Sequence, residues 1–221
     1  MFGTRHLVIV IGVLATATTL GLGLTSVDVT SIANAQVETP AVSAAETFKG
    51  DIVLGDPKAP VTVIEYASMT CPHCANFHLK ELPELKKKYI DTGKVKLIFR
   101  EFPLDALALR ASMLARCGGE AKVHSFIDVL FGQQMNWASS KDPLAALSRI
   151  ARMGGMSQQT FDACMADEAL MKQIVQSRQD GADQFKINST PGFIIDGKTY
   201  SAEELADEKF GELIDSLLPG A

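Results

Sequence analysis

The spacing of hydrophobic and polar positions divides the chain into stretches of different period. Residues 7–24, LVIVIGVLATATTLGLGL, are apolar and uncharged, whereas 36–49, QVETPAVSAAETFK, are small, polar and aperiodic. VTVIEYA (61–67) is rich in β-branched residues and follows the turn cluster GDPKAP, which predicts a buried strand. From Pro72 to about Ile90 the apolar spacing turns helical, with Pro83 expected to kink the helix or split it in two. KVKLIFREF (94–102) predicts a second strand, stopped by Pro103. Over 104–186 no strand pattern occurs. DALALRASMLARC runs to Gly118-Gly119, and Asp142-Pro143 forms an N-cap and first-turn pair ahead of LAALSRIARM. Ser157 can cap a further helix, and EALMKQIVQSRQDGADQF reads as the last of the block. Strands return in TPGFIIDGKTY (190–200), where Asp196-Gly197 is the favoured two-residue hairpin turn. Ser201 and Glu204 have the spacing of a capping box, predicting a final helix with Leu205, Leu213, Ile214 and Leu217 on one face.

That order is strand, helix, strand, helical block, hairpin, helix. It predicts an α/β fold whose sheet comes from 48–103 and 187–221, with 104–186 as an all-helical insertion. A net charge of −5 over 221 residues gives no electrostatic ground for a nucleic-acid partner. The beginning of the chain is read apart from the fold. Arg5, the apolar run and the small-residue site ANA before Gln36 together predict a signal peptide over 1–35, followed by a flexible arm at 36–47. An uncleaved membrane anchor is the alternative, since eighteen apolar residues can just span a bilayer. Either reading sends the remainder out of the cytoplasm.

Export changes how the four cysteines are read, because thiols outside the cytoplasm tend to oxidise. Four cysteines permit three pairings, and spacing favours Cys71 with Cys74 and Cys117 with Cys164. The first pair lies in MTCPHCAN. A helix opening at Pro72 puts Cys71 at its N-terminus, where free backbone N–H groups favour a thiolate. A helix dipole contributes only about 0.3–2 kcal/mol, so a large shift requires direct N–H···S bonds and an imidazolium at His73. Cys74, one turn on, is expected to be more buried and to stay a thiol. Cys71 then forms the mixed disulfide with a partner and Cys74 resolves it. Three other readings of the motif are weaker. No second CxxC or His-x-x-x-His completes a metal site, so no metal is expected; Ala75 stands where haem attachment needs histidine; and so small a loop gains little from an inert disulfide. His78 and His124 read as ordinary helix residues. Phe77, Met69 and Trp137 are candidates for an apolar surface around the site or for core packing.

VIEYASMTCPHC, followed by REFPL and, far downstream, by TPGFIIDG, resembles the DsbA-like thiol:disulfide oxidoreductases of the thioredoxin-fold superfamily. The resemblance spans about 48–218. It implies a thioredoxin-like domain, a helical insertion and no cofactor. It also implies a cis-proline at Pro191, with Thr190 before it, offering backbone pairing to an extended substrate. Glu65, six residues before Cys71, corresponds to an acid beneath the second cysteine that could take the Cys74 proton. The implied activity is a periplasmic oxidase passing its Cys71–Cys74 disulfide to newly exported, cysteine-containing proteins. A quinone-linked, DsbB-like membrane partner would reoxidise it. About a dozen residues ahead of the first structured segment leave no room for a dimerisation region, which argues for a monomer. A disulfide isomerase or reductase on the same fold, and an exported CxxC metal-binding module, are the alternatives. Cys117–Cys164 would close a loop of about 48 residues, worth on the order of 4 kcal/mol in the chain-entropy model. Gly192, after Pro191, departs from the more usual threonine.

Overall fold

The computed structural model describes residues 50–206 and 208–220; the expected signal peptide and arm lie outside them. Five strands form one sheet: β1 (Ile52–Leu54), β2 (Val61–Ala67), β3 (Val95–Glu101), β4 (Gly192–Ile195) and β5 (Lys198–Ser201), in the order β1-β3-β2-β4-β5. The β2–β3 pair is parallel and the other three are antiparallel. β2 is buried on both faces, which is why VTVIEYA reads as a nearly continuous apolar run rather than an alternating one. Val61 and Val63 pack with Leu97, Phe193 and Ile195, while Ile64 and Tyr66 pack on the opposite face with Ile98 and Ile194.

The β2-to-β3 crossover is one winding stretch: α1 (Pro72–Asn76), a π-helical turn (Phe77–Glu81), α2 (Leu82–Leu85) and a second π-helical turn (Lys86–Ile90). Pro83 neither splits nor ends it. Proline has no N–H to give, and the wider turn before it absorbs the mismatch, with the Leu82 N–H bonding back to the Phe77 carbonyl.

Between β3 and β4 come six helices: α3 (Ala106–Cys117), α4 (Val123–Gly132), α5 (Gln134–Ala138), α6 (Pro143–Met153), α7 (Gln158–Met165) and α8 (Glu168–Phe185). Asp105, Asp142, Ser157 and Asp167 each accept a bond from a first-turn backbone N–H at 2.7–3.1 Å. Caps of this kind stabilise a helix by about 1 kcal/mol each. A disulfide between Cys117 and Cys164 fastens α3 to α7. α8 lies close over the sheet at Gly181, where a Cβ would come within 2.7 Å of the Tyr66 ring.

The structure differs from the sequence expectations in two further places. β1 is a three-residue edge strand, too short to show a period. The capping box forms, with the Ser201 N–H donating to Glu204 Oε2 at 2.7 Å and the Glu204 N–H to Ser201 Oγ at 3.3 Å. It closes a turn, however, and α9 begins only at Lys209 and runs to Leu217. Such side-chain bonds satisfy their own donors locally and need no helix after them. Of the two readings open for Met69, Phe77 and Trp137, core packing is the one observed, all being at most 2% exposed.

Candidate active site

β2 ends at Ala67, and residues 68–70 carry the chain to Cys71 at the N-cap of α1, with Pro72 in the first helical position. The loop is held from several sides. The Cys71 N–H donates to the Ser68 carbonyl at 3.0 Å, and the Thr70 hydroxyl donates to Asp105 at 2.7 Å. The buried Gln134 side chain, from α5, donates to the carbonyls of Met69 and Cys71, both at 2.9 Å. Sequence reasoning passed over Gln134, because nothing local marks a glutamine more than sixty residues away as a clamp on this loop.

Opposite the loop, the Thr190–Pro191 peptide bond is cis. It brings the Thr190 carbonyl within 3.2 Å of Cys71 Sγ, where the thiol donates to it. Cys71 and Cys74 are both free thiols here, 6% and 0% exposed. Their environments push them in opposite directions. Cys71 falls from an ordinary 9.0 to about 5, through a bond from the Cys74 thiol first and then the backbone N–H groups of Cys74 and His73, against the effect of burial. A drop of that size corresponds to about 5 kcal/mol at about 1.4 kcal/mol per unit. A helix N-terminus alone supplies ~0.3–2 kcal/mol, so direct hydrogen bonds carry most of it. Cys74 is pushed far upward, by burial first, then by its bond to Cys71 and by the charge of Glu65. His73 is exposed and contributes through its backbone.

Glu65 is fully buried in the middle of β2, in register with Phe99 of β3 and Phe193 of β4. Its partner is His78, whose Nε2 lies 3.0 and 3.2 Å from the two carboxylate oxygens. His78, read from sequence as an ordinary helix residue, therefore belongs to the site. Its helical position gave no hint, because the group it meets is on a strand. Glu65 and His78 form a buried pair whose carboxylate charge is felt at Cys74, and the Thr190 carbonyl lies against Cys71. Cys117 and Cys164 lie apart from it in α3 and α7. Among the described residues no group of three or more His, Cys, Asp or Glu side chains is arranged to hold a metal, and no helix is long and apolar enough to cross a membrane.

A family profile described as Thioredoxin matches residues 47–216. A provisionally named protein-disulfide oxidoreductase of Rickettsia typhi is 36% identical over 175 residues, 75% of this chain and 64% of its own length. The corresponding Rickettsia prowazekii protein is 37% identical over 169 residues, 72% of this chain and 61% of its own. The chain thus spans less than two thirds of these curated relatives. Among solved structures, alpha-DsbA1 of Wolbachia pipientis is 37% identical with a TM-score of 0.68, over 77% of this chain and 92% of that one.

Proposed function

This chain belongs to the DsbA-like proteins of the thioredoxin-fold superfamily, and from that membership we propose that it is a protein-disulfide oxidase working through Cys71. The observation that supports the direction is the opposed environment of the two sulfurs. A reduced state holding a stabilised Cys71 thiolate is the favoured product of exchange, so the disulfide form gives its bond away readily. A client thiolate attacks Cys71 Sγ and the electron pair of the S–S bond goes to Cys74 Sγ, which takes a proton. A second client thiolate then attacks the client sulfur of the mixed disulfide. The client disulfide closes and Cys71 leaves as thiolate. Thr190 and Pro191 face Cys71 and are the place for an extended client backbone. Glu65 accepts the Cys74 proton in the reverse, reoxidising half of the cycle. Clients are cysteine-containing proteins met in the periplasm after export, and a DsbB-like membrane partner restores the disulfide to the monomeric protein.

Equilibration with glutathione buffers tests this reading. With Cys117 and Cys164 replaced by serine as a control, the Cys71–Cys74 pair is expected to give a potential above about −180 mV, where disulfide isomerases sit. A value near about −270 mV, in the thioredoxin range, makes the chain a reductase instead.

A further inference from the structure

Cys71 can leave exchange as a thiolate, but Cys74 cannot. It is wholly buried, and both burial and the Glu65 charge oppose its ionisation. A proton must therefore reach Cys74 when the disulfide opens and must leave it before the disulfide can close. Glu65 is the acid within electrostatic reach, yet it is as buried as Cys74 and lies between two paired strands. A carboxylate in that position persists only if something donates to it.

His78 is that donor. One turn beyond Cys74, it sets Nε2 against both oxygens of Glu65 at 3.0 and 3.2 Å. The ring cannot easily turn away. It stacks on Phe131, with centroids 4.3 Å apart, and meets Phe77 and Phe99 edge-on at 5.7 and 5.8 Å. Nδ1 is buried with no hydrogen-bond partner in the protein. That asymmetry selects a tautomer. With the proton on Nε2 the ring donates to the carboxylate, and Nδ1 is merely an unused acceptor. A proton on Nδ1 would be a buried donor with nowhere to go. Beyond the ring lies a cavity of about 320 Å³, lined in part by His78, Leu82, Leu97, Phe99, His124 and Asp128, with Lys86 at its wall. Glu65 does not line it, so His78 stands between the carboxylate and that space. The titratable groups around the ring are thus Glu65 on β2, Cys74 on α1, His124 and Asp128 on α4, and Lys86. His124 Nε2 is already committed to the Val53 carbonyl at 2.9 Å.

We propose that His78 is the positioning residue of the exchange: it holds Glu65 as a fixed carboxylate near Cys74, and so sets how fast Cys74 loses and regains its proton. The inference rests on the disulfide-exchange reading of the CPHC pair. In the closing step the Cys74 thiol gives its proton to the Glu65 carboxylate. The sulfur attacks Cys71 Sγ in the mixed disulfide, the Cys71–Cys74 bond forms, and the partner leaves as thiolate with the electron pair of the broken bond. Without the Nε2–H donor neither oxygen of the buried carboxylate is held in place, and transfer of the Cys74 proton to it slows.

The test isolates that step. In the full chain with Cys117–Cys164 intact, Cys71 is converted to its mixed disulfide with thionitrobenzoate, and release of the coloured thiolate reports attack by Cys74. Phenylalanine preserves the ring stack and removes the donor. His78→Phe is expected to slow release at least tenfold at pH 7 and to move its pH profile upward by more than a unit. His78→Gln, which keeps an N–H, should recover most of the rate. Cys71 alkylation, which needs no proton to leave Cys74, should be unchanged in both. If His78→Phe folds poorly, the Glu65→Gln/His78→Phe double variant buries no charge, and it should release no more slowly than Glu65→Gln alone. A folded His78→Phe with wild-type rate and profile, or a double variant slower than Glu65→Gln, overturns the proposal and leaves His78 a packing residue. Failure of the wild-type chain to release the thiolate would instead overturn the exchange reading beneath it.

Discussion

Cys71 and Cys74 share one loop-to-helix junction, yet their surroundings drive the two thiols apart, one toward the anion and one toward the neutral form. Following thiolate absorbance in the reduced chain should give a midpoint of about 5 for Cys71. The Cys74 thiol is its leading hydrogen-bond donor, so Cys74→Ala should raise that midpoint by more than about one unit, whereas His73→Ala, removing an exposed ring, should move it by about half a unit or less. A His73 effect larger than the Cys74 effect would restore the imidazolium to the part that the sequence reading gave it beside the direct N–H···S bonds. At this scale the sequence exposed what is written locally. The CPHC spacing and an acid within an apolar strand can be seen at once. His78 and Gln134 could not be found that way, because each acts on a group from another element, thirteen and at least sixty-three residues away.

Element boundaries were legible wherever their cause is local. β2 spans Val61–Ala67 because turn residues and polar flanks bound that run. Two caps, Asp142 and Ser157, begin α6 and α7 for reasons contained within four residues. What stayed hidden depends on distant partners. β1 exists as a strand because β3 offers an edge, and the first π-helical turn accommodates Pro83 within a crossover that must still land on the sheet. The bond between α3 and α7 also belongs to this scale. It closes a separation of 47 residues, so replacing both cysteines by serine should lower the unfolding free energy by about 4 kcal/mol in the chain-entropy model. Denaturant titration is the check, with a steeper slope expected for the variant because its unbridged unfolded chain exposes more surface. A loss under about 1 kcal/mol would mean that packing among these helices already restrains the unfolded chain as far as the bridge does.

For the molecule as a whole, the two thiols set how many protons accompany two electrons. Above about pH 5 the reduced form keeps Cys71 ionised and Cys74 protonated, so reduction takes up one proton. Below it, Cys71 is protonated too and reduction takes up two. Because Cys71 lies below the 9.0 of an ordinary thiol, its stabilisation of the reduced state is full above pH 9, shrinks as pH falls, and is gone below about 5. The potential should accordingly fall by about 30 mV per pH unit between pH 6 and 8, and by about 60 mV per unit below pH 5, since tenfold in a two-electron equilibrium is about 30 mV. A single slope of about 60 mV across the whole range would show that Cys71 is no thiolate at neutral pH. The Cys117–Cys164 bridge also has a chronology. Synthesis runs from the N-terminus, so Cys71, Cys74 and Cys117 have all been made before Cys164 exists. For 47 residues of elongation, Cys117 has only wrong partners available, and two of them are the reactive pair. A chain bearing the bridge has therefore been built through α7 and has come through that interval without a lasting mispairing, which makes the bond a record of the chain's own assembly.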